Sequence, residues 1–262
     1  MYRKIILKLK SDKKLDLKMS SLFHGLLMEK INTEYAAILH KNNFNPYSMY
    51  LEKKGEDWVW NVITLNEESY KYIINDVLYD LRNFKLYKQN IEIEIIDKKL
   101  IEVSNLDLVN IFLNEKEKKQ YIKLKFLTPT GFKSDKKYKI FPDVHLIFQN
   151  IMKKYGTLEN NEIFFDEENL IEIERNVEII SYKLKSVNFH LEGIKIPSFI
   201  GEITLKINGN KTINNFINYL IEFSQFSGIG IKTSIGMGAI KVEGGKLIGN
   251  KTTEVNISDI NA

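Results

Sequence analysis

The chain of 262 residues has no cysteine and only four histidines and four prolines. Without cysteine it can form no disulfide, no thiolate metal site and no cysteine nucleophile, and that composition suits a reducing cytoplasm, the expected location. There is also no His-Glu-x-x-His or paired-aspartate pattern from which to assemble a metal site. No metal and no other cofactor is therefore expected, and catalysis, if present, points to metal-free acid–base chemistry. Apolar runs are short as well: none approaches the ~18 to 20 residues of a membrane-spanning helix. The opening segment, Tyr2 to Lys10, alternates like a strand rather than reading as a signal peptide, so no membrane partner is expected.

What the chain does have is apolar material, 44% of its residues, enough for one large or two small cores. Its net charge of +4 is modest but unevenly spread. Residues 116 to 139 hold nine lysines against Glu117 and Asp135, whereas residues 157 to 178 hold eight acidic side chains against Arg175. A basic and an acidic face follow, and a basic face attracts nucleic acid because neutralised phosphates release counterions. Ordinary solvated lysines would leave the same trace.

Glycine is concentrated near the end: six of the 14 fall within the 18 residues from Gly228 to Gly245. In Ser227-Gly-Ile-Gly-Ile-Lys-Thr-Ser-Ile-Gly-Met-Gly-Ala-Ile-Lys-Val242, the residues Gly228, Gly230, Gly236 and Gly238 permit positive φ and close approach to a ligand backbone. Lys232, Thr233 and Ser234 add a cation and two hydroxyls. A helix-like stretch, Ile213 to Phe226, precedes the loop, and an apolar run, Ala239 to Val242, follows it. Rossmann and Walker loops run the other way, from strand into helix, and no Gly-Lys-Ser/Thr is present, so dinucleotide or nucleoside triphosphate binding does not fit. The segment suggests a backbone that meets phosphate, and a glycine-rich hairpin with bulges is the plainer alternative.

The first half reads as strand 2 to 10, helix 20 to 40 with Ser20 or Ser21 as its N-cap, strands 47 to 54 and 57 to 64, helix 67 to 83 and strand 89 to 96. That βαββαβ order defines a ferredoxin-like unit. Glu115-Lys-Glu-Lys-Lys119 is a charged hinge, which places a boundary near residue 117. Beyond it come strand 121 to 127, helix 142 to 155, an acidic strand region, long strands across 177 to 192 and 198 to 207, helix 212 to 226 and the glycine loop. Residues 1–117 and 118–250 are the expected domains, with 251–262 a tail.

Helix, glycine-rich loop and closing strand together resemble the CRISPR repeat-processing endoribonucleases of the RAMP superfamily of RNA-binding proteins. Three further stretches carry the resemblance: Pro197-Ser-Phe-Ile-Gly-Glu-Ile-Thr-Leu205, Phe126-Leu-Thr-Pro-Thr-Gly-Phe132 followed by Phe141-Pro142, and Ile38-Leu39-His40 at a helix end before an aromatic strand. The resemblance implies an α+β fold of tandem ferredoxin-like (RRM-like) domains with a central cleft, since no internal sequence repeat marks the duplication. It also implies cleavage of precursor transcripts within each CRISPR repeat, with the RNA 2′-hydroxyl as nucleophile and 2′,3′-cyclic phosphate and 5′-hydroxyl ends.

The family places its catalytic histidine where His40 stands, and histidine suits proton transfer near neutral pH. A tyrosine and a lysine often assist it. Tyr47 and Lys30 are the first candidates here, ahead of Tyr35 and Lys41. On a continuous helix, Lys30 would share a face with His40 but lie about 15 Å away. Some relatives carry the tyrosine on the first helix, about where Met28 sits, and methionine cannot replace it. His24, about four turns before His40, is a candidate substitute for that tyrosine, though a helical histidine among Leu22, Phe23 and Leu26 is more often structural, and His145 and His190 are assigned structural or RNA-contacting roles. Expected RNA contacts are Gly228, Gly230, Lys232, Thr233, Ser234, Gly236, Gly238 and Lys241, with Lys133, Lys136 and Lys137 from the basic run. The implied partners are precursor and mature guide RNA and CRISPR effector subunits. Two alternatives keep the same residues: a non-catalytic RAMP subunit that binds guide RNA inside an effector complex, and a small-ligand sensor whose loop holds a nucleotide.

Overall fold

The computed structural model of the chain describes residues 1–104, 107, 110, 119–158, 166–191, 193–243 and 251–254. The boundary expected near residue 117 lies outside them. Contacts divide the chain into two compact units: Met1–Val103 with Ser234–Gly236 and Gly249–Ala262, and Ser104–Thr233 with Met237–Ile248.

In the first unit β1 (Tyr2–Ser11) lies between β3 (Asp57–Thr64) and β5 (Ile91–Val103), all antiparallel, and β2 (Tyr47–Lys54) pairs with the outer edge of β3. Two further strands pair with β5: β4 (Asn83–Leu86) and, numbered β12 as the last strand, Lys251–Glu254 from the expected tail. The order β5-β1-β3-β2 is that of a ferredoxin-like sheet. Alternation drives it: Ile5, Leu7 and Leu9 of β1 and Ile91, Ile93 and Ile95 of β5 are buried on one face. The core against that face holds Phe23, Trp60 and Phe84 in mutual edge contacts at 5.1, 5.5 and 6.0 Å between ring centroids.

The single helix expected over 20 to 40 is two, α1 (Ser20–Lys30) and α2 (Thr33–Lys41). Asn32 breaks them apart. Its side chain accepts from the N–H groups of Glu34 and Tyr35 at 2.9 and 3.1 Å, so it starts a second helix instead of continuing the first. The helix expected from 67 to 83 begins at Glu67 (α3, Glu67–Ser69), capped by Asn66, and continues as a π-helix over Tyr70–Leu78, ending before β4.

The second unit repeats the order. Its sheet runs β11 (Ile240–Val242), β6 (Tyr121–Thr130), β10 (Ile194–Ile207), β9 (Val177–Leu191), all neighbours antiparallel. The helices α4 (Val144–Leu158) and α6 (Lys211–Ser227) take the two helical places, and a small hairpin, β7 (Phe132–Ser134) and β8 (Lys137–Lys139), is inserted after β6. The acidic segment expected as a strand is in part a helix, α5 (Glu167–Asn176). Asp166 caps it by accepting from Glu168 N–H, and Glu167 and Glu168 in its first turn suit the positive end of a helix better than an extended chain. Among the described residues no helix is long and apolar enough to cross a membrane.

Candidate catalytic and RNA-binding sites

The glycine loop leaves α6 at Gly228 and returns to the sheet at β11, and the form of its two ends, 228–231 and 237–239, is imposed from within the second unit. Gly228, Gly230 and Gly238 have φ of 68°, 88° and 70°. A Cβ at Gly230 would stand 2.4 Å from the Gly131 carbonyl oxygen, and one at Gly238 2.1 Å from that of Ile229, so only glycine fits at either. The backbone donors at its two ends are spent on neighbours. Ile229 N–H bonds Gly238 O, Ile231 N–H bonds Gly131 O, Gly238 N–H bonds Pro129 O and Ala239 N–H bonds Thr128 Oγ1, all at 2.8 to 3.0 Å. Residues 128–131 and, a hundred residues on in sequence, 229–231 and 238–239 are thus laced into one piece.

The fourth side of that piece is α4. Asn150 Oδ1 accepts the Gly230 N–H at 2.7 Å, and Lys154 Nζ donates to Ser227 O, Gly228 O and Thr233 Oγ1 at 3.2, 2.9 and 3.3 Å. Lys154 is buried, and burial draws its amine down to about 7.

The loop presents little of itself outward. Gly228, Gly230, Thr233, Ser234, Gly236 and Gly238 are buried, while Lys232 and Lys241 are exposed. The N–H groups of Gly228, Gly230 and Gly238, three of the expected RNA contacts, already have protein acceptors. Lys232 is held at φ 56°, a conformation that costs a residue with a Cβ. Ser234 and Gly236 belong to the first unit, where Asn45 Nδ2 donates to Ser234 Oγ at 3.2 Å.

Lys133, Lys136 and Lys137 lie exposed on the β7–β8 hairpin. Its turn places both Asp135 (φ 50°) and Lys136 (φ 62°) in the left-handed region, the signature of a type I′ hairpin, which sets Lys136 at the tip. Exposed Tyr138 and Phe141 accompany the lysines.

In the first unit His40 occupies the last turn of α2 and is exposed, its imidazole with no hydrogen bond or ion pair among the described residues. Leu39 beside it is buried and anchors that turn. The structure separates the expected helpers from it in character. Tyr47 is buried in the core at the start of β2, its hydroxyl has no hydrogen-bond partner of good geometry although Ser234 lies near, and burial pushes its phenol well above the usual range. That phenol offers no surface to a strand of RNA. Tyr35 is likewise buried, stacked on Tyr72 at 4.7 Å. Lys30 is exposed and lines an open groove with Lys10, Lys85, Glu29, Glu92 and Glu94. The break at Asn32 removes the shared helical face that linked Lys30 to His40. Of the other histidines, His145 is paired with Glu174 on α5.

Comparison with known proteins follows the same lines. A family model described as CRISPR-associated endoribonuclease Cas6 matches residues 124–240, the span from β6 through the glycine loop. Over 228 residues the chain is 36% identical to the CRISPR-associated endoribonuclease Cas6 of Streptococcus thermophilus, an alignment covering 84% of this chain and 90% of that one. The chain belongs to the Cas6 family of CRISPR-associated endoribonucleases. A Cas6 relative from Mycobacterium tuberculosis (strain H37Rv) is 33% identical over 224 residues, 84% of this chain and 70% of that one. Among solved structures, a Cas6 product complex has a TM-score of 0.75 at 19% identity, covering 92% of this chain and 100% of its own. A RAMP protein described as binding different RNA substrates has a TM-score of 0.59 at 14% identity, with 92% of this chain covered. The α+β fold and the endoribonuclease class expected from the sequence both hold. Sequence reasoning missed Asn45, Asn150 and Lys154. The last two left a signal, since they are polar residues four apart on a helix whose buried positions are otherwise Ile147, Phe148, Ile151, Met152, Tyr155 and Gly156.

Proposed function

We propose that the chain cuts CRISPR repeat RNA within precursor transcripts, in the cytoplasm and without a metal ion, and that His40 moves the proton. The observation that carries this reading is His40 itself: an exposed imidazole, unencumbered among the described residues, at the end of a helix anchored by Leu39, in a chain of this family.

RNA supplies its own nucleophile. A base takes the proton of the 2′-hydroxyl, the 2′-oxygen attacks the adjacent phosphorus, the bond to the 5′-oxygen breaks, and a proton reaches that leaving oxygen. The products are a 2′,3′-cyclic phosphate and a 5′-hydroxyl. Histidine serves either proton step near neutral pH, and nearby lysines offset the charge that develops on phosphorus. With Tyr47 and Tyr35 buried, Lys30 or Lys41 is the better remaining assistant. The residues before about 117 carry the chemistry and those after it the grip on RNA, with Lys232, Lys241 and the hairpin lysines as phosphate contacts.

The test is incubation of purified protein with labelled repeat RNA in EDTA, comparing wild type with His40→Ala and mapping the ends. Cutting at one position with a cyclic phosphate, abolished in the variant, is expected. Tight, salt-dependent binding with no cutting would instead make the chain a guide-RNA-binding subunit.

A further inference from the structure

The side chains beneath the glycine loop do more than fill space. A buried lysine is costly, because desolvation disfavours its charge, and among the described residues no carboxylate lies within ion-pair distance to offset it. A methionine or leucine would suit the apolar side of α4 better. Lys154 is retained at a point where no apolar side chain could do what it does: meet two carbonyls, from Ser227 and Gly228 at the end of α6, and the Thr233 hydroxyl, all from below. One helical turn earlier Asn150 takes the Gly230 N–H. The helix end needs such a partner, since its last carbonyls have no acceptor role within the helix.

We propose that Asn150 and Lys154 are positioning residues, a two-point clamp on α4 that holds the glycine loop in the form that grips RNA and sets exposed Lys232 in its left-handed conformation. The donor at 154 and the acceptor at 150 fix opposite polarities of one short segment, so the loop can neither slide along α4 nor turn over. The inference rests on the reading of the loop as an RNA contact.

The experiment measures affinity for labelled repeat RNA in a His40→Ala background, where the RNA stays intact, for Asn150→Leu, Asn150→Asp, Lys154→Met and Lys232→Gly. Amide hydrogen exchange is followed over residues 228–239. Single-turnover cutting at saturating RNA is measured for the same substitutions with His40 in place. The clamp predicts that Asn150→Leu weakens binding about tenfold, the loss of one hydrogen bond to a buried donor, while Asn150→Asp, which keeps the acceptor, stays near wild type. Lys154→Met weakens binding at least as much. Exchange at Gly230 accelerates in Asn150→Leu, and the cutting rate of bound RNA stays within about twofold, a split that general destabilisation would not produce. If Asn150→Leu speeds exchange but binds RNA like wild type while Lys232→Gly binds weakly, the clamp is overturned and the loop reading stands. If Lys232→Gly also binds like wild type, the loop reading fails and takes the clamp with it. Should Lys154→Met not fold, the Asn150 pair decides the matter alone.

Discussion

Both units thread four strands in the same spatial order, with the chain's first strand between its third and fourth, yet they close in different ways. In the first unit α3, continuing as a π-helix, leads into β4 and a hairpin onto β5, a strand of 13 residues. In the second unit α6 leads into a buried glycine loop, and the closing strand β11 has only three residues. The difference teaches what a shared scaffold leaves open. Where the last strand is long, the ladder itself secures the closure. Where it is short, side chains and backbone from elsewhere, Thr128, Pro129, Gly131, Asn150 and Lys154, must hold the connection, and a connection held that way can keep an unusual shape. The first unit shows the opposite economy at α2, where one anchored helix end leaves His40 exposed.

The largest expected effect separates chemistry in the first unit from grip in the second. His40→Ala should lower single-turnover cutting by about 10² to 10⁴-fold, the usual worth of a general acid or base, with RNA affinity unchanged in a filter-binding assay. A parallel loss of affinity would break the division of labour. Next, Gly238→Ala should destabilise the second unit by about 2 to 3 kcal/mol or more. The new Cβ meets the Ile229 carbonyl at 2.1 Å, and the backbone sits at positive φ, so the unfolding temperature falls by several degrees and RNA binding falls with it. A glycine of the first unit offers a control, because Gly25, on α1, has nothing within 4 Å of an added Cβ and Gly25→Ala should be tolerated. Smaller again, replacing Lys133, Lys136 and Lys137 together by alanine should leave folding intact and reduce the dependence of log affinity on log salt by about 2 units, the slope expected for about three phosphates on single-stranded RNA.

The smallest effect is shared by both units. Burial lowers Lys154 to about 7, and Lys4 and Lys98 to about 8, from an ordinary value of 10.5. Between about pH 7 and 10.5 the unfolded chain therefore binds more protons at these sites than the folded chain does. Stability rises with pH across that window, and thermal unfolding at pH 9 should occur a little above that at pH 7. A flat profile would mean that the hydrogen bonds around these lysines offset their burial.

Much of this could be read before folding. Period-two alternation in Ile5, Leu7 and Leu9, and the turn at Lys54-Gly55, locate β1, β2 and β3 to within a residue or two, because burial on one face is written directly into spacing. The break at Asn32 was legible only in hindsight, since an asparagine reads equally as an exposed helical residue or as a cap, and neighbours decide. Tyr47 shows the limit for the site. A tyrosine opening a strand has one apolar face and one polar tip, and its sequence position does not reveal whether the hydroxyl meets solvent or a core. The glycines announced a backbone with special dihedrals, but the reason lay in acceptors a hundred residues away.

The sequence by itself therefore determined the main strands and helices, the ferredoxin-like order of the first unit and the chemical inventory: no thiol, few imidazoles, one glycine-rich connection. Only the tertiary structure decided which groups are spent and which are available. The amides of Gly228 to Ile231, Gly238 and Ala239 already have protein acceptors, the candidate phenols are buried, and His40, Lys232 and the hairpin lysines remain exposed. The physical reason is that local pattern sets dihedrals and faces, whereas hydrogen-bond satisfaction and desolvation depend on partners brought together only when the chain closes on itself.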